Sequence, residues 1–231
     1  GGTLRLNETA ASARCSPSRA SMVWGGWDGH QPKECVERFV PFLTKSGFDV
    51  VVSDSLDSYS DAALMGSLSL IVPCWTCGQI SGDQWNGLAA AVNAGVGVAG
   101  WHGGMCDAFR GHIDYQWMTG GQFLAHPGGI IDYEVHITAW DDPIMAGLKD
   151  FHIKSEQYYM MVEPSNEVLA TTTFDGVHDP LRKGTVMPTV WKRRWGKGKV
   201  FYSALGHVAT DFDVPEARTI MERGLLWAAK P

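Results

Sequence analysis

The first hundred residues alternate between short apolar runs and segments with helical periodicity. Runs of β-branched and apolar residues predict buried strands, and apolar residues spaced three or four apart predict helices packed along one face. Four strands are predicted, at 21–27, 49–53, 68–75 and 95–100. One helix is predicted from Pro32 to a stop at Gly47, and a second from the cap Ser81 to Gly95. This alternation is typical of a mainly parallel sheet covered on both faces.

The second half contains strand-like segments without regular helices between them. They lie at 133–140, 154–162, 168–173, 186–191 and 199–204. Gly196-Lys197-Gly198 predicts a hairpin turn between the last two, and Pro215 predicts the start of a final helix. The apolar residues expected to face inward from that helix are Ile220, Met221, Leu225, Leu226 and Trp227. We therefore predict an α/β fold, a mostly parallel sheet flanked by helices, with a mixed sheet in its second half.

Composition limits the class of protein. The 231 residues contain no linker-like stretch and no repeat, so we expect one domain over 22–231 after an unstructured arm or cloning remnant at 1–21. A net charge of −6 argues against a nucleic-acid partner, because phosphate binding needs clustered Lys and Arg. The absence of a long apolar run predicts no membrane span. Five scattered cysteines indicate a reducing cytoplasm rather than a disulfide framework.

Side chains able to carry chemistry follow four of the predicted strands. They are Trp24, Trp27, Asp28 and His30 after the first, Trp75 and Cys77 after the third, Trp101 and His102 after the fourth, and His207 after the last. Ligands of open α/β sheets bind outside the carboxyl ends of the strands. We therefore expect these side chains to face one crevice.

The segment Gly100-Trp101-His102-Gly103-Gly104 is the strongest candidate for a reactive turn. Flanking glycines allow a sharp bend from strand to helix and a close approach by substrate. The alternative for His102 is a structural, half-buried histidine in a glycine-rich turn, and the alternative for His207 is an ordinary loop residue. Glu156 lies among apolar residues, where burial would raise its pKa and suit it to acid-base work, unless it faces solvent from an edge strand.

Two chemistries fit these candidates. His102 and His207 could act as acid and base with help from Glu156, or they could join His30 as ligands of a divalent metal such as zinc, since imidazole and carboxylate suit such ions. Cys106, close after the turn, is a third candidate, as a nucleophile for amide hydrolysis, but the turn position itself holds histidine.

Tryptophans at the strand ends favour a sugar-sized ligand. Flat aromatic rings stack on sugar faces, and the indole N–H bonds to hydroxyls. The four in question are Trp24, Trp27, Trp75 and Trp101. A small-molecule carbohydrate is therefore the expected partner. The broad strands of the second half and the apolar content suggest a homo-oligomer.

Six segments, in order along about 22–229, resemble the ThuA-like (trehalose utilisation) family, which has the class I glutamine amidotransferase-like fold, a three-layer sandwich also seen in flavodoxins. They are Val23-Trp24 with His30; Gly100-Trp101-His102-Gly103; Tyr115 through Gly120-Gly121-Gln122-Phe123 to His126-Pro127; Asp142-Pro143-Ile144-Met145-Ala146-Gly147-Leu148; Ser155-Glu156-Gln157-Tyr158; and Gly196 to Tyr202 with Leu205-Gly206-His207.

The resemblance implies sugar metabolism, with oxidised (keto) sugars as the expected substrates. Amidotransferases hold a cysteine at the strand-to-helix elbow, where this chain holds His102, while His207 falls where their triad histidine would. The expected enzyme is thus a lyase, hydratase, isomerase or hydrolase without the amidotransferase thiol. The alternative is a non-catalytic sugar-binding or assembly protein. Further substrate-binding residues are expected to be Asp28, Gly103, His126 and Tyr158.

Overall fold

Residues 16–231, which the computed structural model describes, form eleven β-strands and six α-helices. The strands are β1 (Ser18–Gly26), β2 (Phe48–Ser53), β3 (Leu70–Thr76), β4 (Gly97–Trp101), β5 (Gly121–Ala125), β6 (Ile130–Ile137), β7 (Phe151–Glu156), β8 (Tyr159–Val162), β9 (Glu167–Thr173), β10 (Val186–Trp195) and β11 (Gly198–Ser203). The α-helices are α1 (Pro32–Lys45), α2 (Ala62–Ser67), α3 (Gly82–Asn93), α4 (His102–Cys106), α5 (Ile113–Thr119) and α6 (Pro215–Ala228).

Nine of the strands form one sheet, in the order β2-β1-β3-β4-β11-β10-β9-β6-β7. The five from β2 to β11 run parallel, and the remaining four pair antiparallel. The predicted mainly parallel sheet with a mixed second half is therefore confirmed. The remaining pair, β5 and β8, forms a separate two-stranded antiparallel sheet.

Alternate side chains of the central strands enter two apolar cores, one on each face of the sheet. Leu70 and Val72 of β3 pack with residues of α1 and α6, whereas Ile71 between them packs with residues of α3 and α5 on the other face. The chain is thus a three-layer sandwich. None of the helices in 16–231 has the length and apolar character needed to cross a lipid bilayer.

Proline and capping residues in the sequence correctly predicted where two helices begin. Pro32 begins α1, and Ser81 caps α3 in a reciprocal pair of hydrogen bonds with Gln84. On α6, Ile220, Met221 and Leu225 are buried as predicted.

Two predicted boundaries and one predicted burial need correction. Strand β1 begins at Ser18, so residues 18–21 belong to the sheet and not to an arm, while residues 1–15 lie outside the described part. The segment 154–162 is not one strand, because it breaks at Gln157 and Tyr158 between β7 and β8. On α6, Leu226 is exposed instead of inward.

The β6–β7 hairpin leaves the plane of the sheet. Strand β6 pairs with β9 at His136 and Ile137, and the N–H groups of Thr138 and Ala139, just after β6, donate to the carbonyl oxygen of Leu169 in β9. In a flat sheet β7 would lie roughly 24 Å from β4, since neighbouring strands are about 4.8 Å apart. Val135 and Phe151 of the hairpin instead pack into the core beside α1 and α6, which brings the end of β7 over the carboxyl ends of the parallel strands.

Candidate active site

Three imidazoles and one carboxylate meet where the parallel strands end. His30 follows β1 in a short 3-10 turn, His102 follows β4, His207 follows β11, and Glu156 ends β7. One potential ligand atom from each lies within 4.8 Å of those of the other three. The sequence prediction that these strand ends share one crevice agrees with this geometry. We call these four residues the His-Glu centre.

The centre spans the point where the strand order reverses. In the sheet, β2 lies on one side of β1 and β3 lies on the other, so the chain changes direction across the sheet at β1. In α/β sheets the ligand crevice usually lies at such a change in strand order. His30 Nδ1 lies 2.7 Å from Oγ1 of Thr76, the last residue of β3, so one hydrogen bond crosses the crevice. Burial first, and then the neighbouring imidazoles of His102 and His207, lower the pKa of His30 to about 3, so its ring is neutral at physiological pH.

His102 occupies a left-handed elbow. Its φ of 47° is uncommon for a residue with a side chain, and it forms the sharp turn from β4 into α4 that the glycine pattern predicted. The buried ring stacks on Tyr158 at 3.9 Å between centroids. Its Nδ1 lies 2.8 Å from the carbonyl oxygen of Ala204, and its Nε2 lies 2.9 Å from Oε2 of Glu156. Burial lowers the pKa of His102, although contact with Glu156 opposes this shift.

Glu156 contacts imidazoles through both of its oxygens. Oε2 lies 2.9 Å from His102 Nε2 and 3.2 Å from His207 Nδ1, whereas Oε1 lies 3.6 Å from His126 Nε2. Burial alone would raise the pKa of Glu156, but its contacts with His102 and His207 outweigh burial and hold the pKa well below the usual range. The expected raised pKa was therefore wrong, because it took account of burial without these neighbours.

Asp211 fixes the position of His207. The backbone N–H of His207 donates to Oδ2 of Asp211 at 2.9 Å, and the hydroxyl of Ser155 donates to the same oxygen at 2.6 Å. Ser155 directly precedes Glu156. One buried carboxylate therefore ties the loop after β11 to the end of β7.

The centre opens into a cleft of about 250 Å³. Its lining residues are Trp27, His30, Thr76, Cys77, Asp107, Arg110, Phe123, His126, Glu156 and Tyr158. The wall is aromatic: Phe123 lies 4.4 Å from Tyr158 between ring centroids, and Trp27 meets His30 edge-on at 4.8 Å. A larger cavity of about 530 Å³ beside α2 and α3 has only Asp83 and Lys230 as charged lining residues, so the smaller cleft is the better candidate site.

The other predicted substrate-binding residues lie elsewhere. Trp101 is buried against Phe39 and Phe212 in one core, and Trp24 packs against the same core. Trp75 is partly buried against the other core. These three tryptophans therefore do not line the cleft.

Two smaller predicted contacts also lie outside the lining. Asp28 is exposed on its 3-10 turn. Gly103 lies directly against the His-Glu centre, where a Cβ added to it would be 2.4 Å from the ring of His30. The lining thus retains Trp27, His126, Glu156 and Tyr158 from the sequence-based set, together with His30.

Several cleft residues were missed from sequence. Asp107 is buried and holds Arg110 through two hydrogen bonds of 2.7 and 2.8 Å, and Phe123 forms the wall opposite. Their spacing resembles an ordinary surface ion pair, so no local signal marked them. Phe123 could have been found, since it lies within a segment used for the family resemblance.

Cys106 is not placed for nucleophilic chemistry. It is buried beneath the centre, and burial raises the pKa of its thiol far above the usual range. Cys77 is the half-buried cysteine that lines the cleft.

Comparison with known proteins identifies relatives of the whole described fold. A family model described as ThuA, trehalose utilisation, matches residues 19–228. A solved ThuA-like protein from Bacteroides uniformis has a TM-score of 0.78 at 16% identity, over 95% of this chain and 94% of its own. A ThuA-like protein from Parabacteroides merdae has a TM-score of 0.72 at 16% identity, over 92% and 90%.

A glutamine amidotransferase from Thermotoga maritima shares the fold more distantly. Its TM-score is 0.51 at 11% identity, over 91% of this chain and 89% of its own. No curated protein sequence matches the chain significantly. The structural likenesses, all at low identity, support the predicted amidotransferase-like fold.

Proposed function

The chain belongs to the ThuA (trehalose utilisation) family, and on that basis we propose that it is an enzyme that binds a sugar or keto sugar and moves protons next to a carbonyl. The observation that carries this proposal is the His-Glu centre at the floor of an aromatic cleft. Reaction classes that fit are those of a lyase, hydratase, isomerase or hydrolase. Location in the cytoplasm and assembly into a homo-oligomer stay predictions.

The size and walls of the cleft support a sugar. A cleft of about 250 Å³ is at the small end for ligand sites, which suits one sugar ring better than a long chain. Trp27, which is more than half exposed, offers a flat face for stacking, whereas Tyr158 packs against both His102 and Phe123 and completes the aromatic wall. Arg110, which is exposed at the cleft, keeps donors free for hydroxyl or carbonyl oxygens after pairing with Asp107.

In this proposal the two oxygens of Glu156 have different tasks. Oε2 lies on the buried side, 2.9 Å from His102 and 3.2 Å from His207, and the low pKa of Glu156 keeps the carboxylate ionised. Oε1 and His126 lie on the cleft side, where the side chain of His126 is 42% exposed. His126 takes up and returns the substrate proton, and the carboxylate stabilises the imidazolium that forms.

Deuterium exchange tests this function. The protein is incubated in D2O with trehalose, glucose and their keto derivatives, and proton NMR follows exchange next to the carbonyl and the appearance of products. We expect exchange or turnover with at least one keto sugar. His126→Asn and Glu156→Gln should each slow it by about 100-fold or more, a typical loss for a general acid-base group.

A second histidine-glutamate pair provides the matched control. His152 and Glu134 lie 3.5 Å apart on the exposed β6–β7 surface, away from the cleft. His152→Asn and Glu134→Gln should leave the rate within twofold of the parent. Sugar binding without exchange or product from any compound would refute the enzyme and support a sugar-binding protein.

A further inference from the structure

The hydrogen-bond pattern around His102 leaves two acceptor atoms facing each other. A carbonyl oxygen can only accept, so Nδ1 of His102 must carry the hydrogen that it donates to Ala204. In a neutral ring Nε2 then has a lone pair, which points at Oε2 of Glu156 from 2.9 Å. Two acceptors at this distance repel each other unless a cation lies between them, either a proton or a metal ion.

His207 adds a second nitrogen without a partner. Its Nδ1 is buried, makes no hydrogen bond within residues 16–231 and lies 3.2 Å from the same oxygen, Oε2 of Glu156. A buried polar atom left unpaired costs free energy, so it calls for a ligand. One proton between His102 and Glu156 would satisfy one nitrogen and leave the other unpaired, whereas a metal ion could satisfy both.

The outer hydrogen bonds also match a metal site. Imidazoles that bind metals usually donate their other ring N–H to a carboxylate, a backbone carbonyl or water, which fixes the ring and its tautomer. His102 makes this contact with Ala204, and the hydroxyl of Thr76, beside Nδ1 of His30, is able to accept in the same way. The three histidines follow strands of the parallel part of the sheet, which holds three of the four ligand groups in place before an ion binds.

We propose that His30, His102, Glu156 and His207 together bind one divalent transition-metal ion, of which zinc is the best fit to three imidazoles and one carboxylate. The proposal deepens the function proposed above and rests on it only for the use of the ion in turnover. Because the four residues would fill the usual coordination of zinc, a sugar oxygen polarised by the ion would have to be an additional ligand. His126, beside Oε1 of Glu156, remains on the cleft side as the proton-transfer group.

Metal titration tests the proposal without any need for turnover. Protein prepared without a histidine tag is treated with EDTA, dialysed and titrated with Zn²⁺ by calorimetry, and its metal content is measured by mass spectrometry. We expect one ion per chain. His207→Ala and Glu156→Gln should each weaken binding at least tenfold. The control His136→Ala, in an exposed pair with Asp150, should not change it.

Two further measurements, cobalt absorption and melting temperature, test the metal site even if a variant folds poorly. Co²⁺ bound at the centre should give visible d–d bands in the parent and altered bands in Glu156→Gln, and Zn²⁺ should raise the melting temperature of the parent more than that of His207→Ala. Less than one ion per chain, or undiminished binding by both site variants, would overturn the proposal. Full turnover by the metal-free protein would overturn the use of the ion in turnover and leave the enzyme standing, whereas zinc binding without turnover of any sugar would refute the proposed enzyme and leave the metal site standing.

Discussion

Replacing Gly103 by alanine should damage the His-Glu centre through one methyl group. A Cβ at this position would lie 2.4 Å from Cε1 of His30 and 2.9 Å from the hydroxyl oxygen of Tyr158. Carbon atoms in contact prefer about 3.5 to 4.0 Å, so the overlap with the His30 ring is about 1 Å. The ring cannot move away without stretching its hydrogen bond to Thr76.

The expected cost follows from these two effects. Overpacking of a close-packed interior costs about 1 to 3 kcal/mol, and a weakened buried hydrogen bond adds about 1 kcal/mol. Gly103→Ala should therefore lower the free energy of unfolding by about 2 to 4 kcal/mol. For a domain of this size, that is a fall in melting temperature of roughly 4 to 16 °C. Calorimetry or circular dichroism measures it directly.

Two comparisons isolate the steric cause. Gly66 in α2 has no atom within 4 Å of a built Cβ, so Gly66→Ala should be neutral or stabilise the protein by up to about 1 kcal/mol. In a His30→Ala background the clash with the ring is absent and only the 2.9 Å contact with the Tyr158 hydroxyl remains, so Gly103→Ala should then cost less than half of what it costs in the parent. An unchanged melting temperature for Gly103→Ala in the parent would refute the close approach of His30 to this glycine.

Two further predictions concern other groups near the cleft. Asp211→Asn weakens the acceptor for the backbone N–H of His207 and should cost about 1 to 3 kcal/mol in urea denaturation, whereas Asp213→Asn in the same turn, exposed and paired at the surface, should cost under about 1 kcal/mol. Iodoacetamide should label Cys77 of the native protein well before Cys106, as mapped by peptide mass spectrometry, because Cys106 is buried and burial raises the pKa of its thiol. Equal labelling of the two would contradict that burial.

The sequence predicted the parallel half of the sheet because its signals are local. Apolar runs bounded by glycine located β3 and β4, and Pro32 and Ser81 marked where helices begin. The break at Gln157 had no such signal, since strand-forming residues continue on both sides of it. Only tertiary contacts decide that β7 stays with the large sheet while β8 pairs with β5.

The sequence allowed us to predict which residues belong to the candidate site, but not their pKa shifts. His102 and His207 could be located because strands β4 and β11 run parallel and end at the same edge of the sheet. The low pKa of Glu156 depends on both imidazoles, which no segment of sequence contains together. Trp101 is buried in the core, while the adjacent His102 faces the centre, because neighbouring residues at a strand end point in different directions. The sequence does not show which of the two faces the crevice.

The β6–β7 hairpin carries one member of the centre, Glu156, so the centre is complete only while the hairpin is docked on the core. A ligand that engages Glu156 and the imidazoles together must therefore favour the docked hairpin over any displaced one, by the free energy with which it binds. Such a ligand should slow the hydrogen exchange of the β7 amides. Binding at the centre would then be detected in a strand that is far along the chain from His30 and His102.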